Sequence, residues 1–262
     1  METITSADGT RIAFETVGSG PPVVLVGGAF CDHTARVAGT PLAAELRATH
    51  TLVTFDRRGR GESTDTSPYA VAREIEDVAA LVAVAGGSAF VYGHSSGAVL
   101  ALEAALAGLP IRKLALYEPP LVLAEERAPM PPDLEQELAR LVGAGRRGDA
   151  AALFLARAVG VPEPALAAMK SAPSWRGLEA LSHTLPYEVR LTADAPGVLT
   201  RARALRTPTL LLDGDRSPPW MRAGVARLAR TIPDARSKSL AGQAHAVDPA
   251  ALAPSLREFF AD

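Results

Sequence analysis

Ala89-Phe-Val-Tyr-Gly-His-Ser-Ser-Gly-Ala-Val-Leu-Ala-Leu-Glu-Ala-Ala-Leu-Ala107 is the stretch that decides the fold. Ala89 to Tyr92 is a short apolar run with no polar face, which reads as a strand buried on both sides. Gly97 to Ala107 is apolar and rich in good helix formers. Between them lies Gly93-His-Ser-Ser-Gly97, a G-x-S-x-G motif. The motif alone is weak, since glycine and serine are common and a plain Gly-rich turn fits it too. Its position between strand and helix carries the weight. A sharp strand-to-helix turn exposes the serine hydroxyl at a sheet edge and aims helix N-terminal amides at the same point. Ser95 is therefore the candidate nucleophile. The amide of Ser96, immediately after it, is a candidate oxyanion donor.

Working outward, strand and helix signals alternate. Thr3 to Ser6 and Arg11 to Val17 flank an Asp8-Gly9 turn, a hairpin signal. Val23 to Val26 and Thr51 to Phe55 read as buried strands. Val71 to Ala85 has apolar residues at helical spacing. Leu114 to Tyr117 reads as a further strand. After Pro119-Pro120 only helical signals follow, starting at Pro132, Asp149 (as N-cap), Pro162, Leu178 and Gly197. The sheet pattern returns at Thr207 to Leu212, with a helix over Met221 to Thr231, a strand over Ser237 to Leu240 and a last helix over Pro249 to Phe260. The expected fold class is α/β: a mostly parallel, doubly wound sheet with an inserted all-helical lid. Residues 1–120 and 206–262 make the core domain, and 121–205 the lid over the carboxyl edge of the sheet, where ligands bind.

Composition narrows the classes. The chain has 262 residues, 48% of them apolar, enough for a full core. The 27 basic and 29 acidic residues nearly balance, which argues against a nucleic-acid surface or polybasic membrane patch. The single cysteine, Cys31, forms no internal disulfide and reads as a small pocket-wall thiol. No secretory signal pattern and no membrane-length apolar run occurs, so a cytoplasmic protein is expected, as monomer or homodimer, acting on a small molecule. No His/Cys/Asp/Glu group has metal-ligand spacing and no Gly-rich loop is of the dinucleotide type. No metal or cofactor is expected.

These features resemble the α/β-hydrolase fold superfamily nearly end to end. Pro21-Pro-Val-Val-Leu-Val-Gly-Gly-Ala-Phe30 is similar to the strand and loop that usually end in His-Gly-x and carry the first oxyanion amide. Gly27 stands where that histidine is common. The resemblance puts the donor at Ala29, or at Gly28 if the alignment slips by one. Asp56-Arg-Arg-Gly-Arg-Gly-Glu-Ser63 is similar to the family's structural D-x-R-G-x-G-x-S turn. Of the five histidines, His245 lies between the last strand and the last helix, where the family keeps its catalytic base. His50 reads as capping a strand start. His94 is structural or pocket-lining, His33 borders the oxyanion loop, and His183 in the lid is a pocket candidate. Phe30, Trp175 and Trp220 are further pocket candidates.

The acid is unusual. Most of the family places it three residues after a glycine that follows the strand corresponding to Thr209 to Leu212. Here that glycine is Gly214, and the position holds Ser217. Asp215 and Asp213 are close by but out of register. Glu118, at the end of the strand after the nucleophile helix, is the preferred candidate. Some family members, certain dehalogenases and a lactone hydrolase among them, place their acid there. Asp215 is the alternative. A serine at the elbow disfavours epoxide hydrolysis and dehalogenation, which use aspartate. The expected activity is cleavage of an ester, lactone or thioester of a small, fairly hydrophobic substrate through an acyl-enzyme. Carbon–carbon bond hydrolysis or a cofactor-free haloperoxidase-like reaction on the same triad are alternatives, as is a ligand-binding protein on a hydrolase scaffold.

Overall fold

The computed structural model describes residues 1–261. Eight strands form one sheet: β1 (Glu2–Thr5), β2 (Arg11–Gly18), β3 (Pro22–Val26), β4 (Thr51–Phe55), β5 (Ala89–His94), β6 (Ile111–Tyr117), β7 (Thr209–Gly214) and β8 (Arg236–Leu240). Their spatial order is β1-β2-β4-β3-β5-β6-β7-β8. β2 is antiparallel to both its neighbours, and the pairs from β4 to β8 are parallel. The order reverses beside β3, so the carboxyl ends of β3 and β5 open on the crevice where ligands bind in such sheets.

The central strands are apolar on both faces because both are covered. Val24, Val26, Val91, Leu114, Leu116 and Leu211 point into one core, which α2 (Val71–Val84), α3 (Ser96–Leu106) and α10 (Pro219–Thr231) close. Val23, Leu25, Phe90, Tyr92, Ala115, Tyr117 and Leu212 alternate with them. They face the second core, under α1 (Thr40–Leu46) and α11 (Pro249–Ala261). Period-two alternation between two apolar cores leaves no polar side on these strands.

Between β6 and β7 the chain is helical: α4 (Leu134–Gly143), α5 (Arg147–Phe154), a π-helical turn over Leu155–Val159, α6 (Glu163–Ser171), α7 (Trp175–Leu181), a 3₁₀ turn over Ser182–Thr184, α8 (Leu185–Thr192) and α9 (Ala195–Ala202). Leu134, Leu138, Leu141, Phe154, Leu185 and Val189 form a small core of their own. Leu191, Ala195, Val198 and Ala202 instead join the core beneath the sheet. Three details differ from the sequence expectation. Asp149 does not cap α5; it sits in the first turn, paired with Arg146 Nε at 2.7 Å. α1 and α8 carry no clear sequence signal and are helices. His50 caps no strand but is buried, edge-on to Phe90 and Phe260.

Two local constraints shape the sheet edge. At the elbow, a Cβ on Gly97 would lie 2.3 Å from Val26 O, and one on Gly93 would lie 2.5 Å from Gly97 O. α3 can start only because these positions have no side chain. In the turn after β4, Asp56 Oδ1 accepts from His33 N at 2.7 Å and from His33 Nδ1 at 2.9 Å, and Asp56 Oδ2 accepts from Glu62 N at 2.9 Å. Partial burial works against charge on His33, but the hydrogen bond and negative charge of Asp56 outweigh it and raise its pKa above 6.5.

Gly97→Ala is expected to cost about 1–3 kcal/mol in urea unfolding, from overpacking against β3. The His33–Asp56 contact stabilises the fold when His33 is protonated. Its contribution is complete below the ordinary pKa and is lost as pH rises through the raised folded value. Urea midpoints taken from about pH 5 to about pH 8 should therefore fall faster in the wild type than in His33→Gln.

Candidate active site

Ser95 follows β5, as N-cap of α3, in a backbone conformation few non-glycine residues adopt, φ 57°. Its amide donates to Tyr117 O at 2.9 Å, which extends the β5–β6 ladder to the elbow. Glu118 repeats the arrangement one strand on. It directly follows β6 with φ 47°, and its amide donates to Leu212 O at 3.0 Å. Two strained residues thus lie side by side at the carboxyl edge, the usual setting for a functional site.

Glu118 is fully buried. Its Oε1 accepts from Gly214 N at 2.8 Å, and its Oε2 accepts from His245 Nδ1 at 2.7 Å. With Nδ1 donating, Nε2 of the same ring is the acceptor for Ser95 Oγ–H, at 3.2 Å. The two sequence-preferred partners and the nucleophile therefore form one hydrogen-bonded line. Asp215 is elsewhere: exposed, with Oδ1 accepting from Gly242 N at 2.8 Å. Asp213 does not reach the imidazole; burial raises its pKa. Ser217, at the family's usual acid position, is buried with no partner for Oγ among the described residues.

The His245 loop is held from below by two groups. Tyr117 Oη donates to Ala244 O at 2.8 Å, and His94 Nε2 donates to His245 O at 2.9 Å. Burial, and next the neighbouring His245, push the His94 pKa down to about 3. His94 is therefore a neutral donor and adds no positive charge beside the second imidazole. Tyr117 was not a candidate from sequence. Its only signal is its place just before Glu118, after the apolar run Leu114 to Leu116.

Opposite Ser95 runs the loop after β3. A Cβ on Gly28 would lie 2.8 Å from Ser95 Cβ, so only glycine lets this backbone approach the hydroxyl so closely. Among the described residues the amides of Ala29 and Ser96 donate to no protein acceptor. Phe30, with φ 57°, turns its ring edge-on to Phe154 at 5.8 Å.

The space above Ser95 is a cavity of about 240 Å³, walled mainly by Phe30, Val122, Phe154, Leu155, Val159, Trp220 and Met221, with Ala29, His94, Ser95, Ser96 and His245 at its polar end. Phe30, His94 and Trp220 line it as expected. His183 does not: its Nε2 contacts Gly59 O at 2.6 Å, and it borders a separate surface groove. Nor does Trp175, which packs among the inserted helices, or Cys31, which is half-buried in the loop and whose pKa burial raises. Asp32, His33 and Asp56 are the one cluster of metal-ligand type among the described residues. Their oxygens already accept from His33, Thr34 and Glu62, so the cluster is a hydrogen-bonded turn. No helix among the described residues is long and apolar enough to cross a membrane.

Comparison with known proteins agrees with this architecture. The model of the alpha/beta hydrolase family matches residues 23–255. An alpha/beta hydrolase from Sphaerobacter thermophilus DSM 20745 superposes with TM-score 0.93 at 51% identity, covering 99% of this chain and 100% of that one. A thermophilic esterase from Thermogutta terrifontis gives TM-score 0.73 at 24% identity over 99% and 97% of the two chains. The enol-lactonase of Burkholderia xenovorans LB400 gives 0.75 at 20% identity over 100% of both. The uncharacterized hydrolase YraK of Bacillus subtilis is 36% identical over 101 residues, which span 36% of this chain and only 35% of that protein. The chain belongs to the alpha/beta hydrolase family.

Proposed function

We propose that this hydrolase cleaves an ester, lactone or thioester of a small, fairly hydrophobic substrate through an acyl-enzyme on Ser95. The observation that carries the reading is the line Glu118 Oε2–His245 Nδ1–His245 Nε2–Ser95 Oγ, with contacts of 2.7 and 3.2 Å. As His245 Nε2 takes the hydroxyl proton, Ser95 Oγ attacks the carbonyl carbon. Glu118 keeps the imidazole in the right tautomer and stabilises its cation. The Ala29 and Ser96 amides, free of protein acceptors, receive the oxyanion. Collapse of the tetrahedral adduct releases the alcohol or thiol, which takes the proton from His245. A water, deprotonated by the same imidazole, then frees the acid and restores Ser95.

The apolar cavity wall favours an aliphatic or aromatic acyl group over a charged one. Residues 121–205 act as the lid in this reading, since Phe154, Leu155 and Val159 close the cavity from above. An esterase and an enol-lactonase among the structural neighbours fit this class, although at their identities they share only the fold.

Hydrolysis of p-nitrophenyl esters of increasing acyl length tests the reading. Ser95→Ala should abolish turnover. Glu118→Gln should lower kcat by about 10⁴-fold, the scale of losing a triad acid. Asp215→Asn should stay near wild type. Loss in Asp215→Asn with Glu118→Gln unaffected would move the acid to Asp215.

A further inference from the structure

The carbonyls of the loop that carries the Ala29 amide are held by two buried arginines. Arg57 Nη1 donates to Gly27 O at 3.2 Å. Arg60 Nη1 donates to Gly28 O at 2.6 Å and to Cys31 O at 3.2 Å. Arg57 places Nε and Nη2 on Glu74 of α2, both at 2.7 Å. The remaining acceptor comes from far along the chain. Glu188 Oε1, on α8 of the helical insertion, accepts from Arg57 Nη1 at 2.8 Å and also from Arg60 Nη2. All four side chains are 1–2% exposed, and two cations face two anions. Glu188 also forms part of the cavity wall.

One oxygen of the insertion thus orients both guanidiniums that grip the oxyanion loop. We infer that Glu188 is a positioning residue: through Arg57 and Arg60 it sets the Ala29 amide, so that docking of the insertion completes the oxyanion hole. The inference rests on the acyl-transfer reading above. Physically, removing Glu188 leaves a surplus buried positive charge and deletes the acceptor common to both arginines. Arg60 is then left with only the loop carbonyls as acceptors, and Arg57 with Gly27 O and Glu74, so the directions in which they hold the loop are no longer fixed from the insertion. Displacement of the loop would weaken interactions made to the oxyanion more than those made to the substrate carbonyl. The signature is a fall in kcat at nearly constant KM.

The test compares wild type, Glu188→Gln and Glu188→Ala with p-nitrophenyl acetate, counting functional sites by fluorophosphonate titration of Ser95. Affinity for a trifluoromethyl ketone, which loads the oxyanion hole once Ser95 has added to it, is measured in parallel. Loss of one oxyanion donor costs about 100- to 1,000-fold, and a displaced donor costs less. Glu188→Ala should lower kcat per titrated site by about 10- to 100-fold, with KM nearly unchanged and ketone affinity falling in proportion. Glu188→Gln keeps the acceptor but not the charge, and should fall between Ala and wild type in both readouts. If the only effect is fewer titratable sites or a lower unfolding temperature, with per-site kcat and ketone affinity intact, Glu188 is merely structural and the inference fails. Should Glu188→Ala not fold, an unchanged per-site kcat in Glu188→Gln overturns it alone. A folded wild type that neither titrates nor turns over defeats the acyl-transfer reading itself, a failure visible before any variant at position 188 is made.

Discussion

A carboxylate with no access to water is the constraint around which this structure is arranged. Glu118 has both oxygens committed, one to the Gly214 amide and one to the His245 imidazole. A buried charge that loses a partner costs about 3–5 kcal/mol, so neither contact is optional. Meeting them fixes much else. β6 must end beside β7, whose last residue supplies the amide. Gly214 must lack a side chain, because a Cβ there would sit 2.3 Å from Gln243 O and hold off the loop that brings His245. That loop must also present the carbonyls of Ala244 and His245 to Tyr117 and His94. One buried carboxylate thereby ties together the ends of β5, β6 and β7 and the approach to α11.

The electrostatics around this charge are consistent. His94 lies 4.7 Å from His245, the two rings tilted by 40°, and stays neutral because it is buried. A cation there would oppose protonation of the second imidazole, the state a proton shuttle must pass through. The cavity beyond is mainly apolar, with Glu188 and Thr192 the polar residues away from the Ser95 end, so the dipoles at that end act in a medium of low polarisability and count for more than they would in water.

How far such an arrangement can be read from sequence depends on the range of the interactions. The two-faced apolar strands and the Ser95 elbow are local patterns, legible because burial on both faces leaves an unbroken apolar run. Glu118 was legible only through the family resemblance, which puts the usual acid position at Ser217 and admits an acid at the end of this strand. α8 was not. It carries Pro186 in its first turn and buries Glu188, so its inward face carries a charge where a helical pattern demands an apolar residue. That charge makes sense only once Arg57, 131 positions earlier, is known to stand opposite. His183 misleads in the same way: its ring serves the backbone of the Asp56–Ser63 turn instead of the cavity. Asp149 shows the limit of capping patterns, since one turn of register separates a cap from a first-turn acid.

The same turn accounts for the departure at Gly27, where relatives of this fold commonly carry histidine. A side chain at that point is blocked, because a Cβ would meet Cys31 Cβ at 2.8 Å. The loop therefore cannot be anchored by a residue of its own at position 27. Its carbonyls are gripped from outside instead, Gly27 by Arg57 and Gly28 by Arg60. Guanidinium suits this task, since it donates in several fixed directions and stays charged when buried. But it brings a positive charge that must be matched in the same dry space. Glu74 matches one from the core, and the inserted helix must supply the other. Both arginines that grip the loop thus share one counter-charge, Glu188 of the insertion.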